Sequence, residues 1–339
     1  MTGDDNTPVV SVCIANFNGE SIIADCIDSV LRQKNAPYFE ILVHDDASSD
    51  ASLEVLKKYE SVRLIKSSEN VGFCISNNRM AAEARGEFIL LLNNDARLYD
   101  DALATLLDES RKHADKVVLG LPQYDFTSGE LVDYGLKLDF FCSSVPHEKP
   151  TESDIAMVIG ACMWVPTELW RRINGFPEWF ETNAEDVYLC CYARLLGYSI
   201  YVPDRSGFLH MIGYSLGGGK SEDNKLQIST RRRYFSERNR LFVQWLFYPV
   251  WLLPITTSVN LVVLFVEAIV LSIANRKASL IIDIYLKSQF DAFSAIGTVW
   301  QARRITMRSR EISFARFFRT FTVIPQKLRL LFSTGLPGA

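Results

Sequence analysis

The sequence predicts an α/β fold with an open, mainly parallel sheet of the doubly wound type, on three observations. Residues 88–92 are apolar throughout and are bounded by polar residues, as in a central strand that is buried on both faces. Residues 20–34 instead repeat apolar side chains at a helical period. Segments of these two kinds alternate as far as residue 121, which is the pattern of parallel βαβ units.

The individual elements follow from the same patterns. The first half has predicted strands at residues 9–15, 40–44, 62–66, 88–92 and 116–121, and predicted helices at residues 20–34, 51–59, 73–84 and 100–113. Residues 122–154 lack a clear period and predict a hairpin or a loop. The second half continues with an apolar run, two helices and a strand, at residues 155–165, 167–173, 185–194 and 199–202. The glycine-rich residues 213–220 predict either a flexible loop that closes over a ligand or a plain linker.

Polar side chains follow the predicted strands at the point where each strand ends. Asn93-Asn94-Asp95 ends the central strand, and ligands of open α/β sheets collect at these carboxyl ends. Asp95 therefore stands where a phosphate-bound metal ion would be held. A polar turn at the end of a strand has the same appearance in sequence.

Two further places are candidates for chemistry. Glu185 and Asp186 open a predicted helix, where acidic residues often only complement the helix dipole. A carboxylate in this position can also face a cleft as a general base. His210 follows the last predicted strand as a lone histidine, and such a residue is most often simply packed or hydrogen-bonded.

Charge is unevenly distributed along the 339 residues, a length that allows one large domain or one domain with an appendage. Basic residues total 36 and acidic residues 40, yet the segment from Arg276 to the end holds eleven basic and three acidic residues. This basic tail predicts contact with an anionic surface, and we expect a membrane surface and no nucleic acid. The seven cysteines lack a C-x-x-C spacing, so we expect reduced core residues in a cytosolic environment. The polar, acidic N-terminus does not resemble a signal peptide, which favours a cytoplasmic location.

Six short motifs stand in a set order along residues 9–240. They are Asn16-Phe17-Asn18, His44-Asp45-Asp46-Ala47-Ser48-Ser49-Asp50, Asn70-Val71-Gly72-Phe73, Asn93-Asn94-Asp95, Gly160-Ala161-Cys162-Met163 and Glu185-Asp186-Val187-Tyr188-Leu189, with His210 downstream. As a set they resemble the family 2 glycosyltransferases of the GT-A fold, with Asn93-Asn94-Asp95 in place of the DxD motif. Residues 231–240, which include Arg238-Asn239, are similar to the rhamnosyltransferase-like branch of that family.

This resemblance implies a role for each candidate residue. A divalent cation, Mg²⁺ or Mn²⁺, would be held by Asp95 and His210 and would neutralise the charge that develops on a leaving diphosphate. Asp186 would be the catalytic base of an inverting transfer, and Glu185 would bind acceptor hydroxyls. The nucleotide-sugar would be bound by Asn16, Asn18, Glu20, Asp45, Asn70 and Asn94.

The motif departs from DxD in its first two positions, which are the amides Asn93 and Asn94. One carboxylate remains, and Mg²⁺ is often held by one or two carboxylates together with substrate phosphates and water. We therefore expect the cation to bind poorly without the nucleotide.

The last third of the chain is different in kind. Residues 247–274 are almost wholly apolar, and residues 256–274 are nearly long enough to cross a bilayer. Glu267 carries the only charge there and is costly at bilayer depth, so a helix in the interface or in a packed hydrophobic hairpin is the alternative. Residues 303–332 interleave basic and bulky apolar side chains, which predicts a helix on a membrane surface or, alternatively, one that packs on the catalytic domain.

Together these features predict an inverting glycosyltransferase on the cytoplasmic face of the cell membrane. Residues 1–240 would be the catalytic domain, with a nucleotide-binding half at 9–121 and an acceptor half at 122–240, and residues 241–339 a helical membrane-association region. The enzyme would move a hexose or deoxyhexose from a UDP- or dTDP-sugar to a lipid-linked glycan acceptor, in surface polysaccharide or glycolipid synthesis. A catalytically silent sugar-nucleotide-binding scaffold and a GT-A-like nucleotidyltransferase are the alternatives.

Overall fold

The computed structural model describes residues 7–150, 155–211, 218–222 and 225–334. The chain divides into two compact units. The first unit comprises Met1–Leu136 and Pro146–Met211, and the second comprises Lys137–Val145 and Ile212–Ala339.

The elements of the described residues are numbered along the chain. The strands are β1 (Val10–Asn16), β2 (Phe39–Asp45), β3 (Val62–Lys66), β4 (Phe88–Asn93), β5 (Ala96–Leu98), β6 (Val117–Leu119), β7 (Gln123–Asp125), β8 (Leu131–Asp133), β9 (Leu136–Asp139), β10 (Ser144–Pro146), β11 (Cys162–Pro166), β12 (Ser199–Tyr201), β13 (Phe208–His210), β14 (Gly218–Glu222), β15 (Lys225–Ile228) and β16 (Phe321–Thr322). The helices are α1 (Ile23–Leu31), α2 (Ser52–Leu56), α3 (Phe73–Glu83), α4 (Ala102–Lys112), α5 (Thr167–Ile173), α6 (Glu185–Leu195), α7 (Thr230–Phe247), α8 (Leu253–Ala274), α9 (Lys287–Ser294), α10 (Ile296–Arg308), α11 (Phe314–Phe318) and α12 (Gln326–Thr334). A short 3₁₀ helix covers Glu178–Phe180, and a π-helical segment covers Ile281–Leu286.

A seven-stranded sheet forms the centre of the first unit, in the order β12, β6, β11, β4, β1, β2, β3. Its neighbouring strands are parallel except at β11, which runs antiparallel to β4 and to β6. The apolar side chains of β4 are buried, as expected for a central strand with both faces covered. The predicted α/β class with a mainly parallel sheet is therefore confirmed.

The apolar run at residues 155–165 is a strand only from Cys162 onward. Ile155, Ala156 and Val158 are buried, and Met157 makes a single bridge to Leu136. A run of apolar residues indicates that the segment is buried. A buried segment need not pair with a neighbouring strand. The hairpin predicted within residues 122–154 is present, because β7 and β8 pair in antiparallel fashion.

A second sheet of the first unit has the order β5, β13, β7, β8. β13 pairs antiparallel with β5 and parallel with β7. In this register His210 stands opposite Ala96, the residue that follows the Asn93-Asn94-Asp95 turn. The pairing of β13 with β5 therefore places His210 close to the end of the central strand β4.

The second unit is mainly helical. Helix α7 packs against α8, α9 and α10, and β9, β10 and β16 form a small sheet. Arg233 and Arg238 of α7 are buried, and Arg238 stacks on the rings of Tyr234, Phe235 and Phe242. The basic segment 231–240 is therefore buried in part, and the domain boundary predicted at residue 240 falls inside α7.

Two predictions for the second unit need correction. The helix expected over residues 303–332 is interrupted: α10 ends at Arg308, Ser313 caps α11 by accepting a hydrogen bond from Arg316 N, and Pro325 precedes α12. The flexible loop expected at residues 213–220 lies partly outside the described residues, and Gly218–Glu222 pairs with Lys225–Ile228 as a hairpin.

Candidate active site

The ends of three strands share a network of side-chain hydrogen bonds. Asn16 donates from Nδ2 to Asp45 Oδ1 at 3.0 Å, and its Oδ1 accepts from Asn94 Nδ2 at 2.9 Å. Asp45 also accepts from the backbone nitrogen and the hydroxyl of Ser48, at 3.1 and 2.7 Å. Because β4, β1 and β2 are parallel neighbours, their carboxyl ends meet at one edge, and the structure brings Asn16, Asp45 and Asn94 together there.

Gly19 lies directly against this network. A Cβ at this position would be 2.2 Å from Asn16 Oδ1 and 2.6 Å from Asn94 Nδ2. Both separations are well below van der Waals contact, so any side chain would push the two amides out of their hydrogen bond. Gly19 was not among the residues that the sequence predicted for the site.

Asn18 and Glu20 are exposed and hold the loop that precedes α2. Asn18 Oδ1 accepts from Ser49 N at 2.8 Å, and Glu20 Oε2 accepts from Ala51 N at 2.7 Å. These contacts shape the wall beside Asp45. Binding of a nucleotide by Asn18 and Glu20 stays a prediction.

Asn70 is exposed at the start of the segment that leads into α3. The next two residues, Val71 and Gly72, each donate a backbone N–H to the carboxylate of Asp46 at 2.8 Å. Asp46 is buried, so its charge is satisfied by these backbone donors. Asp46 was not among the predicted site residues, although it directly follows Asp45 at the end of β2.

Asp95 and His210 lie side by side, with Asp95 Oδ1 at 3.2 Å from His210 Nε2. The other ring nitrogen of His210, Nδ1, is 3.4 Å from Nε2 of Gln123 on β7. Gln123 is buried and fixes the orientation of the imidazole. No motif in the sequence pointed to Gln123, because only the pairing of β7 with β13 brings it to the site.

This pair fits a divalent cation that shares its ligands with a donor. Carboxylate oxygen and imidazole nitrogen both bind such ions, and the buried Asn93 Oδ1 has no hydrogen-bond partner among the described residues. No group of three or more His, Cys, Asp or Glu side chains within residues 7–150, 155–211, 218–222 and 225–334 could hold an ion alone. Asp95 and His210 would therefore supply two ligands, and donor phosphates would supply others.

Asp186 opens α6 with its carboxylate beside Gly160. Its Oδ1 accepts from Val187 N at 2.7 Å and its Oδ2 from Gly160 N at 3.4 Å. The carbonyl of the next residue, Ala161, accepts from Asn93 N at 3.0 Å. The Gly160-Ala161 dipeptide therefore touches both the Asp186 carboxylate and the strand that leads to Asp95.

The loop before α6 has an unusual backbone. Glu181, Asn183 and Ala184 have φ angles of 62°, 63° and 64°, a region that residues other than glycine seldom adopt. The carbonyl of Glu181 accepts from Cys74 N at 3.2 Å, which ties this loop to the start of α3. Strained residues of this kind are concentrated at functional sites, and here they set the direction from which α6 presents Asp186.

Glu185 is buried, with 7% of its surface exposed, whereas Asp186 is partly exposed. Asp186 is therefore the member of the pair that a ligand can reach. Burial raises the pKa of the nearby Cys74 thiol well above its usual value, and the carboxylates of Glu185 and Asp186 raise it further. Acceptor binding by Glu185 stays a prediction.

Comparison with known proteins places these residues in a family context. Residues 11–173 match the model of the glycosyl transferase family 2. The chain is 32% identical over 117 residues to the poly(ribitol-phosphate) beta-glucosyltransferase of Bacillus spizizenii. The matched segment covers 33% of this chain and 18% of that protein. The chain spans less than half the length of the curated relatives it matches.

Solved structures show the same fold. A crystal structure of GalNAc-T7 with UDP, GalNAc and Mn²⁺ has a TM-score of 0.64 and 13% identity, covering 98% of this chain and 59% of that one. A crystal structure of S. aureus TarS 1-349 in complex with UDP-GlcNAc has a TM-score of 0.54 and 18% identity, covering 92% and 88%. At these identities the likeness concerns the fold alone, and the predicted GT-A fold is confirmed.

Proposed function

We propose, from the premise that residues 11–173 form a glycosyl transferase family 2 domain, that this protein is an inverting glycosyltransferase of surface polysaccharide or glycolipid synthesis. It would transfer a hexose or deoxyhexose from a UDP- or dTDP-sugar to a hydroxyl of a glycan acceptor. The observation that carries the proposal is the contact of Gly160-Ala161 with both the Asp186 carboxylate and the strand leading to Asp95. This contact supports a base at Asp186 and a diphosphate site at Asp95.

The nucleotide end of the donor would be bound at the edge formed by Asn16, Asp45 and Asn94. Asp45 is an acceptor for the N–H of a pyrimidine base, and Ser48 holds its carboxylate in one orientation. Asn94 keeps its own orientation through Asn16. A rigid, hydrogen-bonded edge costs little entropy when a nucleotide binds.

The diphosphate would lie at Asp95 and His210. A divalent cation held there with the phosphates would stabilise the negative charge of the leaving diphosphate. Gln123 keeps the His210 ring facing Asp95, so that both groups point at one place.

Asp186 would act on the acceptor. Its carboxylate takes the proton of the acceptor hydroxyl while the oxygen attacks the anomeric carbon from the face opposite the diphosphate. The bond from the anomeric carbon to the diphosphate oxygen breaks, and the nucleoside diphosphate leaves with that electron pair. The backbone donors Val187 N and Gly160 N hold the carboxylate in place during this step.

The names of similar proteins support parts of this proposal. The TarS and GalNAc-T7 structures contain UDP-GlcNAc and UDP, which favours a UDP-sugar donor, and the second also contains Mn²⁺. The Bacillus spizizenii relative is a poly(ribitol-phosphate) glucosyltransferase, which favours a polymeric cell-surface acceptor. The motif at Arg238-Asn239 adds a rhamnosyltransferase-like branch and a deoxyhexose donor as the finer proposal.

We further propose that the protein works at the cytoplasmic face of the cell membrane on a lipid-linked acceptor. The exposed apolar side chains and the basic composition of the second unit support this location. A polymer under synthesis on a lipid carrier would then meet the enzyme at the same surface.

Donor hydrolysis tests the enzyme assignment. The purified chain is assayed with Mg²⁺ or Mn²⁺ against a panel of UDP-, dTDP- and GDP-sugars, beside the variants Asp95→Ala and Asp186→Asn. We expect slow hydrolysis of one donor, reduced about 10²- to 10⁴-fold in Asp186→Asn with nucleotide affinity kept. Asp204→Asn, an exposed aspartate of the same unit, is the matched control and should keep full activity.

Other outcomes would point elsewhere. A donor that is bound but never turned over, even with a lipid extract as acceptor source, would identify a silent sugar-nucleotide-binding scaffold. Release of inorganic diphosphate from a nucleoside triphosphate and a sugar phosphate would identify a nucleotidyltransferase.

A further inference from the structure

We infer that α8 lies in the plane of an anionic membrane surface, with one face against lipid, and does not cross the bilayer. Within the described residues, α8 is the helix long and apolar enough to span a membrane. Spanning and lying flat therefore have to be distinguished by what each face of the helix contacts. The inference rests on the membrane-surface part of the proposed function and adds the orientation.

One face of α8 is an apolar stripe open to the surroundings. Successive members are three or four residues apart, which places them on one side of a helix. Ile255 and Ile273, at the two ends of the stripe, are 57% and 73% exposed, and Trp251 in the turn before α8 is 72% exposed. The stripe consists of Ile255, Val259, Val262, Val266, Ile269 and Ile273.

The opposite face of α8 is polar in part and is fixed to the second unit. Thr256, Asn260 and Ser272 are buried there, together with Leu264 and Leu271. Buried hydroxyl and amide groups would gain nothing from lipid. The helix therefore has two chemically different sides along its whole length.

Glu267 on α8 is held by ion pairs inside the second unit. Its carboxylate pairs with Lys327 of α12 and lies 3.7 Å from Arg233 Nη1 of α7. Lys327 in turn pairs with Glu237 at 2.9 Å. Glu267 is thus one of four charged groups that meet on the protein side of α8.

These ion pairs argue against a membrane span. Glu267 lies seven residues before the end of α8 at Ala274, roughly 10 Å along the helix at about 1.5 Å per residue. A spanning α8 would carry Glu267 and its partners Arg233 and Lys327 into the hydrocarbon, where charges are costly. A helix lying flat keeps these charges on the water side and turns the stripe toward lipid.

A second exposed stripe follows directly in sequence. Ile282, Leu286, Phe290 and Phe293 are exposed at spacings of four, four and three residues. The π-helical segment Ile281–Leu286 packs on α8 through a core of Leu264, Ala268, Leu271, Leu280, Ile284 and Tyr285, and α9 continues directly from it. Two neighbouring helical segments therefore both leave apolar faces uncovered, which suits a flat lipid surface.

Charge identifies the occupant as anionic lipid rather than a second copy. From Ile212 to the end the chain has eighteen basic and seven acidic residues. Two copies that met through these faces would bring their positive charges together, whereas an anionic bilayer attracts these positive charges. Arg276 and Lys277 are exposed and follow α8 directly, so their positive charges lie close to the apolar stripe, as contact with anionic head groups requires.

Depth measurements with single spin labels test the orientation. The seven native cysteines are buried and form no disulfide, so an introduced exposed cysteine is labelled selectively. The full chain with Ile255→Cys, Val262→Cys or Ile269→Cys is bound to phosphatidylcholine and phosphatidylglycerol vesicles, and each label's accessibility to oxygen and to a nickel chelate is measured. Glu60→Cys, on the exposed surface of the first unit, is the aqueous control.

We expect the three labels on α8 to report one shallow depth, about 5–10 Å below the head groups, and Glu60→Cys to stay in water. A label at Val262→Cys that is much deeper than those at Ile255→Cys and Ile269→Cys would overturn the inference in favour of a span. Labels on α8 as open to nickel chelate as Glu60→Cys would overturn the lipid occupant itself.

A charge variant supplies a second measurement. Val262→Glu with Val266→Glu should lower vesicle binding at least tenfold in flotation, and Tyr38→Glu, an exposed aromatic of the first unit, should not. Unchanged binding of the double variant would contradict the inference. Donor hydrolysis is measured on the same proteins without vesicles, so a failed enzyme assignment and a failed membrane orientation give different results.

Discussion

The two units of this chain differ in how they treat charge and apolar surface. The first unit holds 17 basic and 32 acidic residues, and the second unit holds 19 basic and 8 acidic. Among the described residues, four exposed large apolar side chains belong to the first unit and nineteen to the second. The first unit is an acidic scaffold around a polar site, and the second carries the features of a surface for lipid. Damage to one function should therefore leave the other intact.

Among the substitutions that test this contrast between the units, the largest effect is expected at Gly19. In Gly19→Ala the new methyl group would meet Asn16 Oδ1 at 2.2 Å and Asn94 Nδ2 at 2.6 Å, so the hydrogen bond between these amides must open. We expect turnover to fall about 10²-fold, because small displacements of positioning groups have effects of that size. UDP affinity by calorimetry and donor hydrolysis measure the loss.

Vesicle binding is the internal control for this variant. It should be unchanged in Gly19→Ala, since the substitution leaves the second unit untouched. A variant that binds UDP and turns over the donor normally would show that the Asn16–Asn94 contact is dispensable.

Arg303, a buried arginine of the second unit, tests whether damage to that unit leaves the first unit intact. Arg303 donates from Nη1 to the carbonyls of Trp245 and Leu246, at 2.6 and 3.2 Å, in the last turn of α7. Arg303→Met leaves these buried carbonyls without their donor, which we expect to cost about 1–3 kcal/mol of stability. Thermal unfolding followed by tryptophan fluorescence measures the loss.

Arg304→Met is the matched control, because Arg304 is the exposed neighbour of Arg303. It should change stability by less than about 0.5 kcal/mol. UDP affinity should stay at the wild-type value in both variants. Equal stability of Arg303→Met and Arg304→Met would contradict the capping role.

Glu40 makes the stability of the first unit dependent on pH. Burial alone would raise the pKa of this carboxyl, but hydrogen bonds from Ser11, from the backbone and side chain of Arg85 and from Arg63 outweigh burial and lower it. A lowered pKa adds stability that is present above the usual value of 4.5 and is lost as the pH falls below it. Because Arg63 and Arg85 are exposed, solvent screens part of the gain.

We expect Glu40→Gln to destabilise the protein by about 1–2 kcal/mol at pH 7. The difference from wild type should shrink as the pH falls below 4.5 and through the lowered pKa of Glu40 in the folded protein, because protonation makes the carboxyl neutral like the amide. Urea unfolding at pH 7, 5 and 3.5 measures this trend. A constant difference at all three pH values would rule out the ionised carboxylate as its source.

The smallest expected effect is a gain in the second unit. A Cβ at Gly297 in α10 would meet nothing within 4 Å. Gly297→Ala should therefore stabilise α10 by about 0.5–1 kcal/mol through helix propensity alone. A loss of stability in thermal unfolding would mean that another group covers this helix face. The difference between the open surroundings of Gly297 and the crowded surroundings of Gly19 would then be smaller than stated.

Sequence reasoning found the strands and helices of the first unit because their apolar periods are local. It found Asp95 from its position at the end of a central strand, and it found Asn16, Asp45 and Asn94 through the resemblance to family 2 glycosyltransferases. It missed Gly19 and Asp46, whose importance depends on what lies within a few ångströms of them. The run at residues 155–165 could be identified only as apolar, because apolar composition does not distinguish burial from sheet pairing.

What the sequence by itself determined is the alternation of strands and helices, the polar strand ends and the division of charge between the two parts of the chain. Only the tertiary structure decided which of those groups meet. It set His210 beside Asp95 and Gln123, and it gave Glu267 the partners Arg233 and Lys327. Periodicity depends only on residues that are neighbours in the sequence. These contacts instead join segments far apart in the chain, so they exist only once the sheets and helices have packed.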